Sequence, residues 1–419
     1  MSRRIGTVMH VEEWVAPERA GEATGRMVVN THIHVPPNFS AFATVEDAVA
    51  FAGAQGVRAM GVSNFDDVRV YRRFAHAALA AGILPLFGVE FVTVLDGPMR
   101  DGARINDPAN PGRMYLCGKG VDPFAAPTPI AARISHAVCT ADRNRMASLV
   151  ELMRICFGGA GLDTSLSAQN ITEEVAERAE VPPDWVVLQE RHVAMAFQEA
   201  LFLRIPPDRR ATFLERLYGG PATASVESAI AVQGEIRARL MKSGRPAFVT
   251  ESPVSFEDAY RLILEMGGIP CYPTLADGAD PICEWESPAT ALAARLLEHG
   301  IFAAELIPDR NLPSVVDEYV AAFGEAGIIV VAGTEHNTLR RLPAEPRCTD
   351  GTLPSPTALA AFWDGACIVA AHQHERAQGR AGYVDATGRL NPDFPDAASR
   401  RRWFRDQGAA LMGAPEASA

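Results

Sequence analysis

The chain has 419 residues, 48% of them hydrophobic and 21% charged, with a formal charge of −12. That is the composition of an ordinary folded protein with ample core. The acidic balance argues against a nucleic-acid partner, which selects a basic face.

Seven cysteines form no CxxC pair and sit in apolar context, as in "GACIVA". They read as reduced thiols of a cytoplasmic protein. The start, "MSRRIGTVMHVEEW", has no apolar stretch of a signal peptide, and no window approaches 18 uninterrupted apolar residues, so no membrane span is expected. Residues 1–26 and those from about 400 to 419 read as peripheral arms, the second with a frayed end, "GAPEASA".

From about 27 to 125, short β-like runs alternate with helical segments. "MVVNTHIH" reads as a strand. "TVEDAVAFAGAQG" reads as a helix with Thr44 at its N-cap and Glu46-Asp47 in its first turn. "VRAMGVSN" is the next strand, "VRVYRRFAHAALAAG" a helix closed by Gly82, and "ILPLFGVEFV" a third strand. The segment "RDGARINDPANPGRMYLCGKG", 100–120, reads as a long rim loop. This βαβαβ rhythm implies parallel strands with helical crossovers.

Between about 126 and 249 the strand signal nearly vanishes, and five helical segments suggest an inserted helical subdomain. From 250 the alternation returns in "SFEDAYRLILEMGG", "IPCYPTL", "PATALAARLLEHG", "IFAAELI", "LPSVVDEYVAAFGEAG" and "IIVVAGTEHN". Residues 346–419 form a helical C-terminal extension. The expected whole is an α/β barrel over 27–125 and 250–345, interrupted by the insertion.

Strand ends at the carboxyl rim of such barrels carry function. Here four of them carry His32 and His34, Asn64, Glu90, and Glu335-His336. In a strand, residues i and i+2 share a face, so His32 and His34 point the same way. With Glu90 and Glu335 they would make an N₂O₂ site suited to one divalent ion, Zn²⁺, Mn²⁺ or Fe²⁺. A bare HxH is a weak signal. The joint pattern is stronger, because each group ends a strand too apolar to carry it without a partner. A second HxH, His372 and His374, lies on a helix, where i and i+2 diverge, so it is not expected to chelate.

The order of these motifs resembles the PHP (polymerase and histidinol phosphatase) family. The matching segments are "THIH" (31–34), "VSNFD" (62–66), "GVE" (88–90), "GGIPCYP" (267–273) and "GTEHN" (333–337). The helical insertion resembles one found in some members. The resemblance implies a distorted (β/α)7 barrel, up to three metals and hydrolysis of phosphate esters. It also shows departures. Asn64-Phe65 stands where the family has Asp-His, Tyr272 and Tyr115 where it has imidazoles, and Glu335 where it has Asp. Carried over residue by residue, one site survives, made of His32, His34, Glu90 and Glu335, so the resemblance implies a single ion.

Other residues are weighed against ordinary surface roles. Arg104, Arg113 and Lys119 in the 100–120 loop could grip an anion, as could Arg143 and Arg145, and Arg191 with His192 on an insertion helix. Glu305 and Arg310 end another strand at the same rim, and Asn64, Tyr115 and Tyr272 could meet substrate. Asp66 and His336 are the candidate proton-transfer groups, with Asp67 a weaker one. His136 is a weak candidate, and His10, His76 and His299 read as structural.

These readings favour a metal-dependent hydrolase, a phosphoesterase acting on a small phosphorylated or otherwise anionic metabolite. The alternatives are a single-metal sugar isomerase, lyase or amide hydrolase, or a ligand-binding barrel without catalysis. No nucleic acid or membrane partner is expected, and self-association into a homo-oligomer stays open.

Overall fold

The computed structural model describes residues 27–413. The arm at 1–26, His10 within it, and residues 414–419 lie outside the described residues.

The first half of the barrel runs β1 (Val28–Ile33), α1 (Val45–Ala54), β2 (Val57–Val62), α2 (Tyr71–Ala80), β3 (Leu84–Val94), α3 (Asp96–Asp101) and β4 (Arg113–Lys119). The insertion follows as α4 (Pro129–Gly159), α5 (Ala168–Ala179), α6 (Glu190–Arg204), α7 (Pro207–Tyr218) and α8 (Ala229–Ile236). The second half comprises β5 (Val254–Ser255), α9 (Phe256–Glu265), β6 (Ile269–Thr274), α10 (Ala289–Glu298), β7 (Ala303–Leu306), α11 (Pro313–Glu325) and β8 (Ile329–Ala332). Two further helices, α12 (Pro356–Ala377) and α13 (Ala397–Leu411), end the described chain.

Seven strands pair in the order β1-β2-β3-β4-β6-β7-β8, and β5 adds two residues beside β3. The ring closes just past β8. There Thr334 and Glu335 donate their backbone N–H groups to His32 O at 3.1 and 2.8 Å, and His34 N–H donates to Glu335 O at 2.7 Å. The fold is therefore a distorted, nearly closed α/β barrel of seven strands. Gly333 makes the closure sterically feasible, because a Cβ there would lie 2.3 Å from His32 Cβ.

One expectation fails at 100–120. Arg100 and Asp101 end α3, only 102–112 are a loop, and residues 113–119 form β4, antiparallel to both β3 and β6 in the middle of the sheet. This reversal is what turns a presumed rim loop into barrel wall.

The insertion has a hydrophobic core of its own, with Phe157 packed against Phe197 and Phe213 at ring separations of 4.8 and 5.8 Å. Helix α4 joins the two bodies. Ala131 and Ile134 near its start pack into the barrel core, while Met146 to Phe157 pack into the insertion. At the other end of the chain, α13 is docked rather than peripheral, and residues 414–419 of the "GAPEASA" end lie outside the described residues. Phe404 is fully buried, and Gly408 approaches α12 so closely that a Cβ would sit 1.8 Å from Cys367 O.

Candidate metal centre

Strand alternation decides which side chains enter the barrel. In register, Glu90 on β3 faces Cys117 on β4, and Cys117 faces Cys271 on β6. Because the side-chain period is two, Tyr115, Cys117 and Lys119 all point inward. Glu305 on β7 does the same, and His32 and His34 enter from the end of β1.

Three donors converge there. His32 Nε2 lies 3.2 Å from His34 Nε2 and 3.6 Å from Glu90 Oε2, and His34 Nε2 lies 3.3 Å from Glu90 Oε2. All three residues are buried. Ligand atoms ~2.1 Å from a shared ion at tetrahedral angles stand ~3.4 Å apart, so the set fits a cation such as Zn²⁺. Glu90 Oε2, facing both imidazoles, and His34 Nδ1 have no hydrogen-bond partner. Two imidazole lone pairs at that separation repel unless a proton or a cation lies between them.

A second set of donors supports the first. His32 Nδ1 meets Glu305 Oε2 at 2.7 Å, while Glu305 Oε1 accepts from Lys119 Nζ at 2.8 Å and Thr31 Oγ1 at 3.0 Å. A carboxylate at Nδ1 fixes the tautomer that leaves Nε2 free for a metal. Burial opposes charge on His32, but Glu305 and Glu90 together outweigh it and lift the imidazole to about 9 in the metal-free chain. Burial likewise pushes Glu90 and Glu305 up; the imidazoles beside Glu90, and Lys119 with His32 beside Glu305, hold both down at about 2. Cys117 joins His32 and Glu305 in a further three-donor group.

Two residues expected to touch substrate therefore do not. Lys119 is 2% exposed and Glu305 0%. They form an interior ion pair beneath the triad because β4 is a strand, and the Lys119 ammonium also donates to Thr31 O and Ser63 Oγ.

Glu335 stands at the rim but outside the three-donor groups. Its carboxylate is bound by Arg310 and by Asn337 Nδ2. Glu335 and His336 both have left-handed backbone, φ 54 and 52°, so the strand pattern does not continue through them. His336 is turned into the protein. Its Nε2–H donates to Leu342 O at 2.9 Å, and its Nδ1 accepts from Thr334 Oγ1 at 2.7 Å. With both nitrogens committed and burial lowering its pKa, His336 is a structural residue rather than a proton carrier.

Other candidates resolve similarly. Asn64 clamps the chain after His34 through both Val35 N–H and Val35 O, at 2.9 and 3.0 Å. Tyr272 has the opposite parity to Cys271, so it faces the helices and donates to buried Glu286 at 2.9 Å. His192 caps α6 by accepting Gln189 N–H at 3.1 Å, and burial lowers it to about 3. Arg104 pairs with Glu284 on the surface, and Arg143 is exposed beside a different cavity, of about 380 Å³, which His136 also lines. As expected, His372 and His374 diverge: the first is buried against Gly267 O, the second meets Gln378.

A cavity of about 440 Å³ lies between the barrel rim and the insertion. Phe65 lines it and also stacks on His34 at 4.8 Å; Tyr115 lies 6.2 Å beyond Phe65. Its wall is rich in charge the sequence reading passed over, namely Glu190, Arg237, Lys242 and Glu251. Most of this charge is neutralised locally. Glu251 binds Arg113 and Arg145, and Glu190 binds Arg145, Lys242 and Arg237 at 2.6, 2.8 and 3.4 Å. Asp107 accepts from Asn110 Nδ2. Among the described residues lining the cavity, three charged side chains have neither hydrogen bond nor ion pair: Asp66, Asp142 and Arg191. Burial, Asp142 and Glu90 push Asp66 well up, and burial pushes Asp142 to about 6. Burial with neighbouring Arg237 and Arg310 lowers Arg191 to about 10, against the pull of Glu335.

No family model and no curated protein matches the chain. Solved structures do. An amidohydrolase from Chromobacterium violaceum, with bound sulfate and no metal, aligns over 76% of this chain and 93% of its own at 15% identity and a TM-score of 0.50. A protein from Bifidobacterium adolescentis, assigned as a metal-dependent phosphoesterase, aligns over 82% and 98% at 13% identity and a TM-score of 0.53. At these identities the likeness is one of fold. No helix among the described residues is long and apolar enough to cross a membrane.

Proposed function

We propose that the protein is a hydrolase that uses one divalent ion, Zn²⁺, Mn²⁺ or Fe²⁺, to cleave a small phosphate ester. The observation carrying this reading is the convergence of His32, His34 and Glu90 within 3.2–3.6 Å, with Glu90 Oε2 otherwise unpartnered. Three protein ligands with an open position is the arrangement of catalytic rather than structural zinc. An ion held there supplies a Lewis acid that acidifies water and offsets charge on a phosphoryl oxygen.

The chain's own residues have distinct tasks in this reading. His32, His34 and Glu90 hold the ion, and Glu305 fixes His32 for that role. Arg191, without a carboxylate partner, binds the anionic group. Asp66, whose backbone N–H bonds Glu90 O at 3.1 Å and whose carboxyl burial pushes well above the usual carboxylate range, is the proton donor to the leaving oxygen in this reading. Phe65 and Tyr115 shield the triad from bulk water. The fold likeness to a protein assigned as a metal-dependent phosphoesterase supports the reading.

Amide hydrolysis is the second reading. A lone three-ligand site serves carbonyl chemistry without a second ion, and one fold neighbour is named an amidohydrolase. Elemental analysis together with a phosphate-ester and amide panel under Zn²⁺, Mn²⁺ and Fe²⁺ separates the two. About one ion per chain with phosphate release that His34→Ala abolishes is the expected result. Amide cleavage without phosphate release would transfer the assignment to the second reading, and a chain that takes up no ion would end both.

A further inference from the structure

The two imidazoles of the triad are held by different means. His32 has Glu305 at its Nδ1, at 2.7 Å. His34 Nδ1 is buried and has no hydrogen-bond partner among the described residues. A metal-ligating histidine almost always commits that second nitrogen to a carboxylate or carbonyl, which fixes the ring. At His34 the task falls to packing. Its ring neighbours are the other ligand, His32, at 5.0 Å, and Phe65, stacked on it at 4.8 Å with 26° between planes. The Phe65 segment also borders Glu90, because Glu90 N–H donates to Asn64 O and Asp66 N–H to Glu90 O, both at 3.1 Å. Phe65 is in turn held by buried Asn38. Its N–H donates to Asn38 Oδ1 at 2.7 Å, and Asn38 Nδ2 donates to Phe65 O at 3.4 Å. Asn38 is gripped from the insertion. Gln189, at the N-cap of α6, donates from Nε2 to Asn38 Oδ1 at 3.2 Å and accepts Phe39 N–H at Oε1 at 2.7 Å. The Phe39 ring meets His192 of the same helix at 5.3 Å. Two donors on one oxygen settle which way the Asn38 amide faces.

We infer that the insertion completes the metal centre: Gln189 is a positioning residue that, through Asn38, seats Phe65 on His34 and so sets the ring of that ligand. This rests on the reading of His34 as a ligand. A ring without a second polar anchor has to be ordered when an ion binds, which weakens binding; a ring already seated avoids that cost. The insertion thereby acts on the centre without touching it, and Phe65 gains a task beyond shielding. Other contacts between barrel and insertion lie outside this relay. Arg73 on α2 is bound to Glu46 at 2.7 Å, to Ala179 O at 3.0 Å and to Glu180 at 3.2 Å, none of which holds Asn38 or Phe65.

The test combines Zn²⁺ affinity of the full chain, by chelator competition, with backbone hydrogen exchange of the metal-free chain. Gln189→Ala should weaken Zn²⁺ binding about tenfold, the cost of losing a group that orients a ligand histidine. Phe65→Leu, which keeps bulk without the flat face, should do the same, and the double variant should bind no more weakly than either single one. Phe65→Tyr, which keeps the face, should retain wild-type affinity. Arg73→Ala loosens the same interface elsewhere and should stay within about threefold of wild type. In the metal-free chain the Phe65 amide should exchange about tenfold faster in Gln189→Ala, while that of Ser63, bonded to Ile33 O, keeps its wild-type rate. Asn38→Ala breaks the relay at its middle and takes the place of Gln189→Ala if that variant does not fold. Wild-type Zn²⁺ affinity in Gln189→Ala, additive losses in the double variant, an equal loss in Arg73→Ala, or unchanged Phe65 exchange overturns the inference. His34→Ala decides the underlying reading separately. Loss of Zn²⁺ in His34→Ala but not in Gln189→Ala leaves the ligand reading standing and refutes the relay. Wild-type Zn²⁺ affinity in His34→Ala refutes both.

Discussion

Replacing Glu305 by glutamine tests the link between barrel interior and metal centre. The wild-type carboxylate serves His32 Nδ1 at 2.7 Å and Lys119 Nζ at 2.8 Å, with every partner buried. An amide of the same shape cannot do both. If its oxygen turns to Lys119, its NH₂ faces His32 Nδ1, which must then accept; the proton moves to Nε2 and the ligand lone pair is lost. If its oxygen turns to His32, its NH₂ meets an ammonium. Removing the partner of a metal-bound histidine costs about 10–100-fold in metal affinity, or about 1.4–2.7 kcal/mol. The metal-free protein should also lose about 3–5 kcal/mol, because Lys119 is left as a buried charge without its anion. Competition titration with a chelator measures the first quantity, and denaturant unfolding of the metal-free protein the second. A glutamine variant that keeps wild-type metal affinity within about threefold would refute the orienting role of Glu305 at His32 Nδ1, and with it the assignment of His32 Nε2 as a ligand.

Three other outcomes follow from the same geometry. Glu90→Gln should abolish stoichiometric ion binding, and with it metal-induced thermal stabilisation, because it removes the negative charge from a site otherwise built of two neutral imidazoles; ion content per chain checks this. His336→Gln should leave ion content unchanged and lower stability by about 1–3 kcal/mol, because Thr334 and Leu342 lose a buried partner; loss of activity with full stability would restore His336 as a catalytic group. Burial raises Glu286 to about 7, against donation from Leu275 N–H, Tyr272 and Ala276 N–H. A folded pKa above the unfolded one means a contribution present below the unfolded value of 4.5 and lost as pH rises through about 7. Between pH 5 and 8 the wild type should therefore lose about 3 kcal/mol relative to Glu286→Gln, as read by the pH dependence of unfolding.

Most of the barrel was legible because its signals are local. Thr44 and Ser255 cap α1 and α9 as their sequence positions suggest, accepting the N–H groups of Asp47 and Asp258 at 3.0 and 3.1 Å. The two-residue period placed His32, His34 and Glu90 on the inner face without further information. Strand β4 was hidden for an equally local reason: the run "MYLC" is short, and "NDPANPG" before it and "GKG" at its end are turn-forming. Missing one strand had a large effect, since the parity of β4 decides whether Tyr115, Cys117 and Lys119 line the barrel or decorate a loop.

The remaining errors concern charge whose partner is remote in sequence. Glu305 and Lys119 are 186 residues apart, and each read separately is an ordinary rim charge. Arg191 and His192 read as a pair in the sequence, yet adjacent helical positions point ~100° apart, so only one of them could face a site. Arg191 took the cavity and His192 the helix cap. Glu335 shows how the same logic misleads when the backbone changes. It follows a strand and resembles a ligand position, but its left-handed φ ends the alternation, and Arg310 then competes for its carboxylate. These placements also bear on the number of ions. With neutral imidazoles, His32, His34, Glu90, Glu305 and Lys119 carry a net charge of one negative unit, because the Lys119 ammonium already offsets Glu305. A single divalent ion reverses that sign and leaves one positive unit to face an anion. A second ion near Glu305 would have to sit against the Lys119 ammonium in a dry interior, where like charges repel most strongly. Under the proposed reading, the buried lysine therefore favours one ion over two.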